Sequence, residues 1–299
     1  MAHESVLLKE VIEGLSFQDG DIYLDATVGS GGHMEAVWKK MKERVTLCGI
    51  DADETSISIA REKLDLSGAK PKLSVLNFRN IDKAPEIFGI SAPTKILFDL
   101  GWSRDQFDEG GRGFSFQKDE PLVMTFKDNP DEDDTTAYDV VNEWSEENLA
   151  DVIFGYGEEK YARRIAKAIV KERALRPIKT SKVLAEIVKA SVPVFYRFGR
   201  IHPATKTFQA IRIAVNDELK ALEEGVRKGF GILDKEGLLA VISFHSLEDR
   251  IVKRFFKTLV SEEKAQLINK KPIIASEEEL NINPRARSAK LRIIQKISE

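Results

Sequence analysis

The 299-residue sequence contains one cysteine, Cys48, and no apolar run that approaches 18 residues. A single cysteine excludes a disulfide framework, a cysteine-rich zinc module and an iron–sulfur cluster held by cysteines. The amino-terminal stretch mixes charged residues into its first turns, unlike an export signal or a membrane span. We therefore expect a cytoplasmic protein in a reducing compartment, with no membrane partner.

Net charge is also small, because 46 basic residues nearly balance 49 acidic ones. Taken alone, this balance argues against a nucleic-acid partner. The distribution is uneven, however: residues 128–159 hold twelve Asp or Glu and no Lys or Arg, whereas residues 160–212 hold fourteen Lys or Arg and two Glu. Two solvated helix faces of opposite sign would explain this pattern, and a basic face for RNA phosphates is the alternative.

The start of the basic segment, residues 157–175, predicts an amphipathic helix. Four apolar positions fall on one side of that helix, and four basic positions occupy the rest of its surface. The apolar residues are Tyr161, Ile165, Ala168 and Ile169, and the basic residues are Arg163, Arg164, Lys167 and Lys171.

Strand and helix patterns alternate on both sides of the charged segment. Apolar runs at 22–27, 45–51, 72–78 and 95–101 alternate with helical patterns at 33–42 and 54–64. Beyond residue 203 come a helix at 205–228, a strand at 237–244, a helix at 247–259 and a strand at 291–297, with residues 261–281 expected to be mostly loop. This order predicts an α/β fold, a doubly wound and mostly parallel Rossmann-like sheet interrupted by an inserted helical domain. The predicted boundaries are 1–104 and 204–299 for the sheet domain and 105–203 for the insertion.

A glycine cluster, Gly29, Gly31 and Gly32, follows the first predicted strand, where a backbone can pass close to a ligand. A dinucleotide fingerprint needs a third glycine where Met34 stands, and no Gly-Lys-Ser/Thr follows, so NAD, FAD and a phosphate loop are disfavoured. Asp51 closes the second strand, where an acid accepts hydrogen bonds from ribose hydroxyls. S-adenosylmethionine is the common nucleoside ligand without a diphosphate that fits this pattern.

Each of these signals has a purely structural alternative. The glycine turn would then be a tight connection, and Asp51 would cap the helix that begins near Glu54. Phe78, after the third strand, would belong to the core rather than stack on adenine. Their placement at successive strand ends favours a ligand site, because open α/β sheets bind ligands at that edge.

The fourth strand ends at Asp99, with Ser103 and Gln106 just beyond it. Methyl transfer from a sulfonium is an in-line displacement that depends mainly on positioning, and it requires no metal. For an exocyclic amine, the Asp99 carboxylate, the Ser103 hydroxyl or a backbone carbonyl would hold the N–H bonds. Asp99 as a cap of the following turn is the structural alternative.

Three further polar clusters are candidates for the site. The first two would line the ligand cleft at the sheet edge. The third would bind RNA phosphates or form a solvated terminal strand. They comprise His202, Lys206, Gln209, Arg212 and Asn216; Ser243, His245, Ser246 and Arg250; and Arg285, Arg287, Lys290 and Arg292.

Seven ordered blocks carry a specific resemblance that spans nearly the whole chain. They are HESVLLKEVIEGL, DATVGSGGH, the LFDLG–QFD–RGFSF block, YGEEKYARRIAKAIV, HPATKTFQAIRIAVNDEL, SFHSLEDRIVKRFF and NPRARSAKLR. Together they resemble the bacterial 16S ribosomal RNA cytosine N4-methyltransferase family known as RsmH or MraW.

The resemblance implies a class I S-adenosylmethionine-dependent methyltransferase acting on N4 of a decoding-region cytidine in 16S rRNA of the small ribosomal subunit. The inserted helical domain would recognise the RNA, and the target cytosine would be splayed out toward the loop 99–106. Monomer and homodimer both stay open. Carried over by position, the cofactor residues are Gly31, Gly32, His33, Asp51, Phe78, Asp99 and Gln106, and the catalytic residues are Asp99 and Ser103.

The sequence departs from the family pattern at Trp102 and Arg104 in the target loop, and at Val123 and Thr125 downstream. The milder interpretation is a lost ion pair, since removing both partners can be nearly neutral. The sharper one is a cofactor-binding but catalytically weak RNA-binding or ribosome-assembly protein. A nicotinamide oxidoreductase is disfavoured by the missing third glycine.

Overall fold

The computed structural model describes residues 5–100, 111–127, 130–131, 134–199 and 201–298. Contacts divide the chain into two compact units, which we call the sheet unit, Met1–Ser103 with Leu219–Glu299, and the helical unit, Arg104–Glu218. The domain boundaries drawn from sequence remain predictions. The contact-based division differs from them in assigning position 104 and residues 204–218 to the helical unit.

The sheet unit contains a seven-stranded, mostly parallel sheet in the order β3-β2-β1-β4-β5-β7-β6, which confirms the predicted α/β fold. The first five strands of that order run parallel, and β7 is antiparallel to both of its neighbours. The strands are β1 (Ile22–Asp25), β2 (Thr46–Asp51), β3 (Lys72–Val75), β4 (Lys95–Asp99), β5 (Leu238–Ser243), β6 (Ala265–Leu267) and β7 (Lys290–Lys296).

The helices of the described residues are numbered in chain order. The sheet unit begins with α1 (Leu8–Gly14), α2 (Gly32–Met41), α3 (Glu54–Leu66) and α4 (Ala84–Phe88). The helical unit contains α5 (Ala137–Glu143), α6 (Glu146–Gly155), α7 (Ala162–Arg173), α8 (Ser181–Ser191), α9 (Val194–Arg197) and α10 (Thr205–Asn216). Then follow α11 (Glu218–Ile232), α12 (Ser246–Ser261) and α13 (Glu277–Ile282), with 3₁₀ turns at Lys42–Arg44, Phe78–Lys83 and Pro284–Ser288.

Both faces of the sheet are covered because successive strand residues point to opposite sides. On one face, Tyr23 and Leu97 pack in a core shared with α1, α2 and α3. On the other, Leu24 and Phe98 pack in a core shared with α4, α11 and α12. The sheet is therefore doubly wound, as the alternation of strands and helices predicts.

Side-chain caps explain where several helices of the helical unit begin. Thr136 and Asp139 form a capping box at α5, and Ser145 accepts a hydrogen bond from an α6 amide. Helix α7 is amphipathic as predicted: Ile165 and Ile169 are buried. The basic residues Arg163, Arg164, Lys167 and Lys171 are all exposed.

One expectation about elements is wrong in part. The predicted helix 205–228 is two helices, because Asp217 adopts a left-handed conformation with φ +48° and ends α10. The segment 261–281 is mostly loop, as expected, and it also supplies β6 and the first part of α13. Among the described residues, no helix is long and apolar enough to cross a bilayer.

Candidate active site

The glycine turn between β1 and α2 is held by the two strands that flank β1. The Ala26 amide donates to the Leu97 carbonyl of β4 at 2.8 Å, and the Val28 amide donates to the Ile50 carbonyl of β2 at 3.1 Å. Gly29 and Gly31 have positive φ values, +52° and +76°, which side chains rarely adopt. The turn therefore needs glycine at both positions and lies at the carboxyl edge of the sheet.

The three glycines of the turn differ in what surrounds them. A Cβ on Gly31 would lie 3.3 Å from side chains of α3, and one on Gly32 would collide with the Ser5 hydroxyl. A Cβ on Gly29 would meet nothing nearer than 4.0 Å. The close approach of α3 to Gly31 and of Ser5 to Gly32 thus explains why glycine stands at these two positions. Contact of Gly31 and Gly32 with a cofactor stays a prediction. Gly29 faces open space.

Asp51, at the end of β2, is tied to this turn. Its carboxylate accepts a hydrogen bond from the Gly29 amide at 2.9 Å and another from the Asp53 amide at 3.0 Å. Asp53, rather than Asp51, caps α3 by accepting from the Thr55 amide. Burial raises the pKa of the Asp51 carboxyl to about 6. The capping alternative for Asp51 is therefore wrong, and the half-buried carboxylate is available to a hydroxyl donor.

A second group of polar residues lies where β1 and β4 end. The Asp99 amide donates to the Thr27 hydroxyl at 2.7 Å, which fixes the end of β4 against the loop after β1. His33, on the first turn of α2, places Nδ1 3.7 Å from Asp99 Oδ2. Two residues predicted for the site, His33 and Asp99, are therefore brought together by neighbouring elements.

His33 is buried, and its ring orientation is set by the chain near the amino terminus. Its Nε2 donates to the Val6 carbonyl at 3.1 Å, and because a carbonyl only accepts, Nε2 carries a proton. Burial lowers the pKa of the imidazole. In the neutral ring, Nδ1 therefore faces the Asp99 carboxyl without a proton of its own.

Asp25 completes this group and is a residue that the sequence analysis missed. It is 1% exposed, and it accepts hydrogen bonds from the Tyr23 hydroxyl at 3.0 Å and the Thr27 amide at 3.1 Å. Burial raises the pKa of the Asp25 carboxyl to about 6, although the His33 ring, when protonated, acts to lower it. The signal was available as an acid inside an otherwise apolar strand, directly before the glycine turn.

Phe78 begins the 3₁₀ turn after β3 and is only partly buried. Its ring lies edge-on to Phe98, with centroids 5.8 Å apart, and it packs against α11 at Gly225. A Cβ on Gly225 would lie 2.7 Å from that ring. The core therefore fixes one side of the phenyl ring, and the ring keeps some exposed surface.

Residues 101–106 of the predicted target loop lie outside the described residues. This applies to the catalytic candidate Ser103, to the cofactor candidate Gln106, and to the departures Trp102 and Arg104. The other two departures, Val123 and Thr125, are in the helical unit. There the Thr125 hydroxyl donates to the Lys127 carbonyl, and Asn216 holds the chain on both sides through Met124 and Phe126. This segment is thus fixed without an acid at 123 or an arginine at 125.

The polar cluster at 202–216 has structural partners inside the helical unit. Gln209 and Lys206 donate to the carbonyls of Tyr156 and Glu158, both in the turn that precedes α7. Arg212 forms a two-bond ion pair with Glu218, at 2.8 and 2.9 Å. The His202 ring stacks on Phe116, with centroids 4.5 Å apart. These contacts join α10 to its neighbours.

The two clusters of the sheet unit also have structural roles. His245 caps α12 by accepting from the Glu248 amide, and Glu248 accepts from the His245 amide in return. Asp249 accepts from Arg292 at 2.7 Å and from Lys290 at 3.3 Å. These two cations therefore bind α12 to β7, whereas Arg285 and Arg287 are exposed.

A glycine turn bonded to the carboxylate of the next strand, with an aromatic ring after the third strand, is typical of α/β proteins that bind a nucleoside at the sheet edge. The chain belongs to the MraW methylase family, whose model matches residues 1–297.

Two relatives and one solved structure are similar to this chain. The chain is 43% identical to the ribosomal RNA small subunit methyltransferase H of Brevibacillus brevis, with 99% of this chain and 98% of the relative covered. It is 44% identical to the protein of the same name from Sulfurihydrogenibium, with 99% of each covered. The solved structure of SMU.1697c from Streptococcus mutans, in complex with SAH, is similar at a TM-score of 0.47 and 14% identity, covering 99% of this chain and 100% of that one.

Proposed function

We propose that this protein is an S-adenosylmethionine-dependent methyltransferase that methylates N4 of a decoding-region cytidine in 16S rRNA of the small ribosomal subunit. Membership of a methylase family and the names of the relatives support the reaction class and the RNA. One observation carries the assignment: Asp51, bonded to the open glycine turn, and Asp99, fixed beside His33, end two parallel strands of the same sheet. The proposal includes action in the cytoplasm, where a ribosomal substrate is available.

The residues at the sheet edge fit a nucleoside with a sulfonium side chain. Asp51 offers carboxylate oxygens to ribose hydroxyls, and the turn at Gly29 leaves room for a close approach of the ligand. The exposed part of the Phe78 ring offers an apolar face to adenine. When bound, S-adenosylmethionine supplies an electrophilic methyl group. His33 and Gln106 complete the proposed cofactor contacts, with Gly31 and Gly32 contributing backbone.

Asp99 is the proposed catalytic residue because of what an exocyclic amine requires. The lone pair of cytosine N4 is delocalised into the ring, so an acceptor must hold the N–H bonds while the nitrogen turns toward the methyl group. The Thr27 hydroxyl fixes the backbone of Asp99 by accepting a hydrogen bond from its amide. The unprotonated Nδ1 of His33 lies beside the Asp99 carboxylate. Ser103 is proposed as a second acceptor. Positioning of this kind supplies much of the rate of a displacement.

The test is methyl transfer from tritiated S-adenosylmethionine to small ribosomal subunits that lack the modification, followed by nucleoside analysis of the RNA. We expect N4-methylated cytidine with the wild-type protein. Asp99→Ala should lower transfer by at least about 100-fold, the usual scale for a positioned proton acceptor. Asp65→Ala, an exposed aspartate on α3, is the matched control and should transfer normally.

The same assay separates the alternative of a catalytically weak RNA-binding or assembly protein. Absence of transfer by a wild-type protein that binds both S-adenosylmethionine and RNA would support that alternative. Methylation at another base or atom would contradict the N4 assignment while keeping the reaction class. Full transfer by Asp99→Ala would show that Asp99 is structural.

A further inference from the structure

Helix α9 and the residues after it expose a group of apolar side chains in the helical unit. We call Val194, Phe195, Phe198 and Ile201 the aromatic patch, whose members are 63%, 71%, 82% and 52% exposed. Across the described residues, just one other phenylalanine, Phe154, is exposed to a similar degree, at 66%. Clustered exposed aromatic residues mark interaction surfaces.

The side chains of α9 that point inward hold this short helix in place. The Tyr196 hydroxyl donates to Glu159 at 2.7 Å, and the Tyr196 ring lies edge-on to Tyr161 with centroids 5.0 Å apart. The ammonium of Lys160 lies over both tyrosine rings, 5.1 and 5.2 Å from their centroids. Arg197 donates to carbonyls at the end of α8. These contacts fix α9 in place, while the rings of Phe195 and Phe198 stay exposed.

The chain segment that contains the patch carries charge of one sign. From Ile187 to Asn216 the chain has no Asp or Glu and five Lys or Arg. Lys189 is exposed in the last turn of α8, next to Ala190, whose carbonyl accepts a hydrogen bond from Arg197 of α9. Lys160 is likewise exposed beside Tyr196. A partner of this surface must combine apolar flat groups with negative charge.

We infer that Phe195 and Phe198 stack on unpaired bases of the RNA substrate while Lys189 and Lys160 meet its phosphates. This inference rests on the proposed function and adds the contact that selects single-stranded RNA. Stacking of bases on aromatic rings within a positive surface is how proteins bind unpaired nucleotides, and every base offers a flat face. A purely apolar partner would leave the surrounding cations without a counter-charge.

The experiment compares RNA binding by the full-length protein and by the double variant Phe195→Ala/Phe198→Ala, with rRNA of the small subunit and a single-stranded oligonucleotide as probes. We expect the Kd to rise by about tenfold or more for each ring lost. The slope of log Kd against log salt should not change, because no cation is removed. Lys189→Ala should instead lower that slope by about one.

Matched variants separate stacking from general hydrophobicity. Phe154→Ala removes an equally exposed ring from α6, outside the patch, and should leave RNA affinity unchanged. Phe195→Trp should keep the affinity because it retains a ring, whereas Phe195→Leu should lose it despite being apolar. Equal affinity of the Leu and Trp variants would overturn the stacking contact.

The outcomes also distinguish this inference from the proposed function. If the wild type transfers methyl groups to rRNA and the double variant keeps the wild-type Kd, the inference is wrong and the function stands. If the wild type neither binds nor methylates rRNA, both fail. If the double variant changes the sedimentation of the protein but not its RNA affinity, the patch joins two copies of the chain and the inference is again wrong.

Discussion

Asp51 leads to a prediction about pH and cofactor binding. Its pKa of about 6 in the free protein means that part of the population is protonated below neutral pH. Ribose hydroxyls donate to the ionised carboxylate, so binding should release a proton and lower the pKa. Cofactor affinity should therefore rise about tenfold between pH 5 and pH 7 and be flat above that. Calorimetric titration of S-adenosylhomocysteine across this range measures it.

The control for Asp51 is the variant Asp51→Asn. It should bind the cofactor roughly 10- to 100-fold more weakly, the scale of a lost charged hydrogen bond, and its affinity should not depend on pH between 5 and 7. A thermal melt checks that the glycine turn, which Asp51 supports through Gly29, has survived the change. Unaltered affinity would remove Asp51 from the ribose.

Asp25 leads to a prediction about stability. Its folded pKa of about 6 lies above the ordinary value of 3.8, so the native state keeps the proton up to a higher pH than the unfolded chain does. Its contribution to stability is therefore full below about pH 4 and is lost as pH rises toward 6. Asp25→Asn removes this loss, so the free energy of unfolding of the variant relative to wild type should rise by about 3 kcal/mol between pH 4 and pH 7.

Urea unfolding of both proteins at several pH values measures this difference. His33 acts in the opposite direction, because its lowered pKa makes stability rise with pH up to the ordinary value of 6.5. It is present in both proteins, but the protonated ring and the Asp25 carboxylate act on each other's pKa, so the comparison measures Asp25 together with the accompanying change at His33. Parallel curves for the two proteins would contradict the raised pKa.

The sequence predicted which residues end the strands better than it predicted their partners. Asp51 and Asp99 follow apolar runs, and the pattern alone places both at one sheet edge. The approach of His33 to Asp99 depends on how α2 and β4 meet in space. Sequence spacing carries no information about such contacts between elements.

At the scale of an element, helix α11 leads to a prediction about Phe78. Gly225→Ala would place a methyl group 2.7 Å from the Phe78 ring and 3.1 Å from its carbonyl oxygen. Relief of that overlap should cost about 1–3 kcal/mol of stability and displace the ring, which weakens cofactor binding several-fold. Gly231→Ala on the same helix has no atom within 4 Å and should gain up to about 1 kcal/mol.

Chemical unfolding and cofactor titration of these two glycine variants test the role of Phe78. A loss of stability with unchanged cofactor affinity would place the Phe78 ring in the core alone. Equal behaviour of the two variants would show that α11 moves away from Phe78 without cost.

The strands and helices that periodicity predicted in the sheet unit are present, but two features did not follow from it. The helical pattern at 205–228 continues through Asp217, whose left-handed backbone divides it into α10 and α11. β6 has only three residues, too few for an alternating pattern, and it forms because β7 offers an edge. Tertiary pairing, rather than local preference, determines both features.

At the scale of the whole molecule, the exposed basic face of α7 leads to a prediction about salt. Arg163 and Lys167 are exposed on that helix, and each should neutralise an RNA phosphate. Replacing both by alanine should weaken RNA binding and reduce the slope of log Kd against log salt by about one to two. Lys40→Ala/Lys70→Ala, two exposed lysines of the sheet unit, should change neither. Equal slopes for the two double variants would exclude α7 from the RNA contact.

The position of β7 in the sheet has a consequence for how the chain is made. Residues 290–296 pair with β5 on one side and β6 on the other, so a strand that follows both of them in the chain lies between them in the sheet. While the ribosome is still synthesising the chain, β5 has an unpaired edge that invites association with other nascent chains. The helical unit, which is continuous in sequence, has already emerged by then. Nascent chains stalled before Lys290 should therefore be the aggregation-prone species.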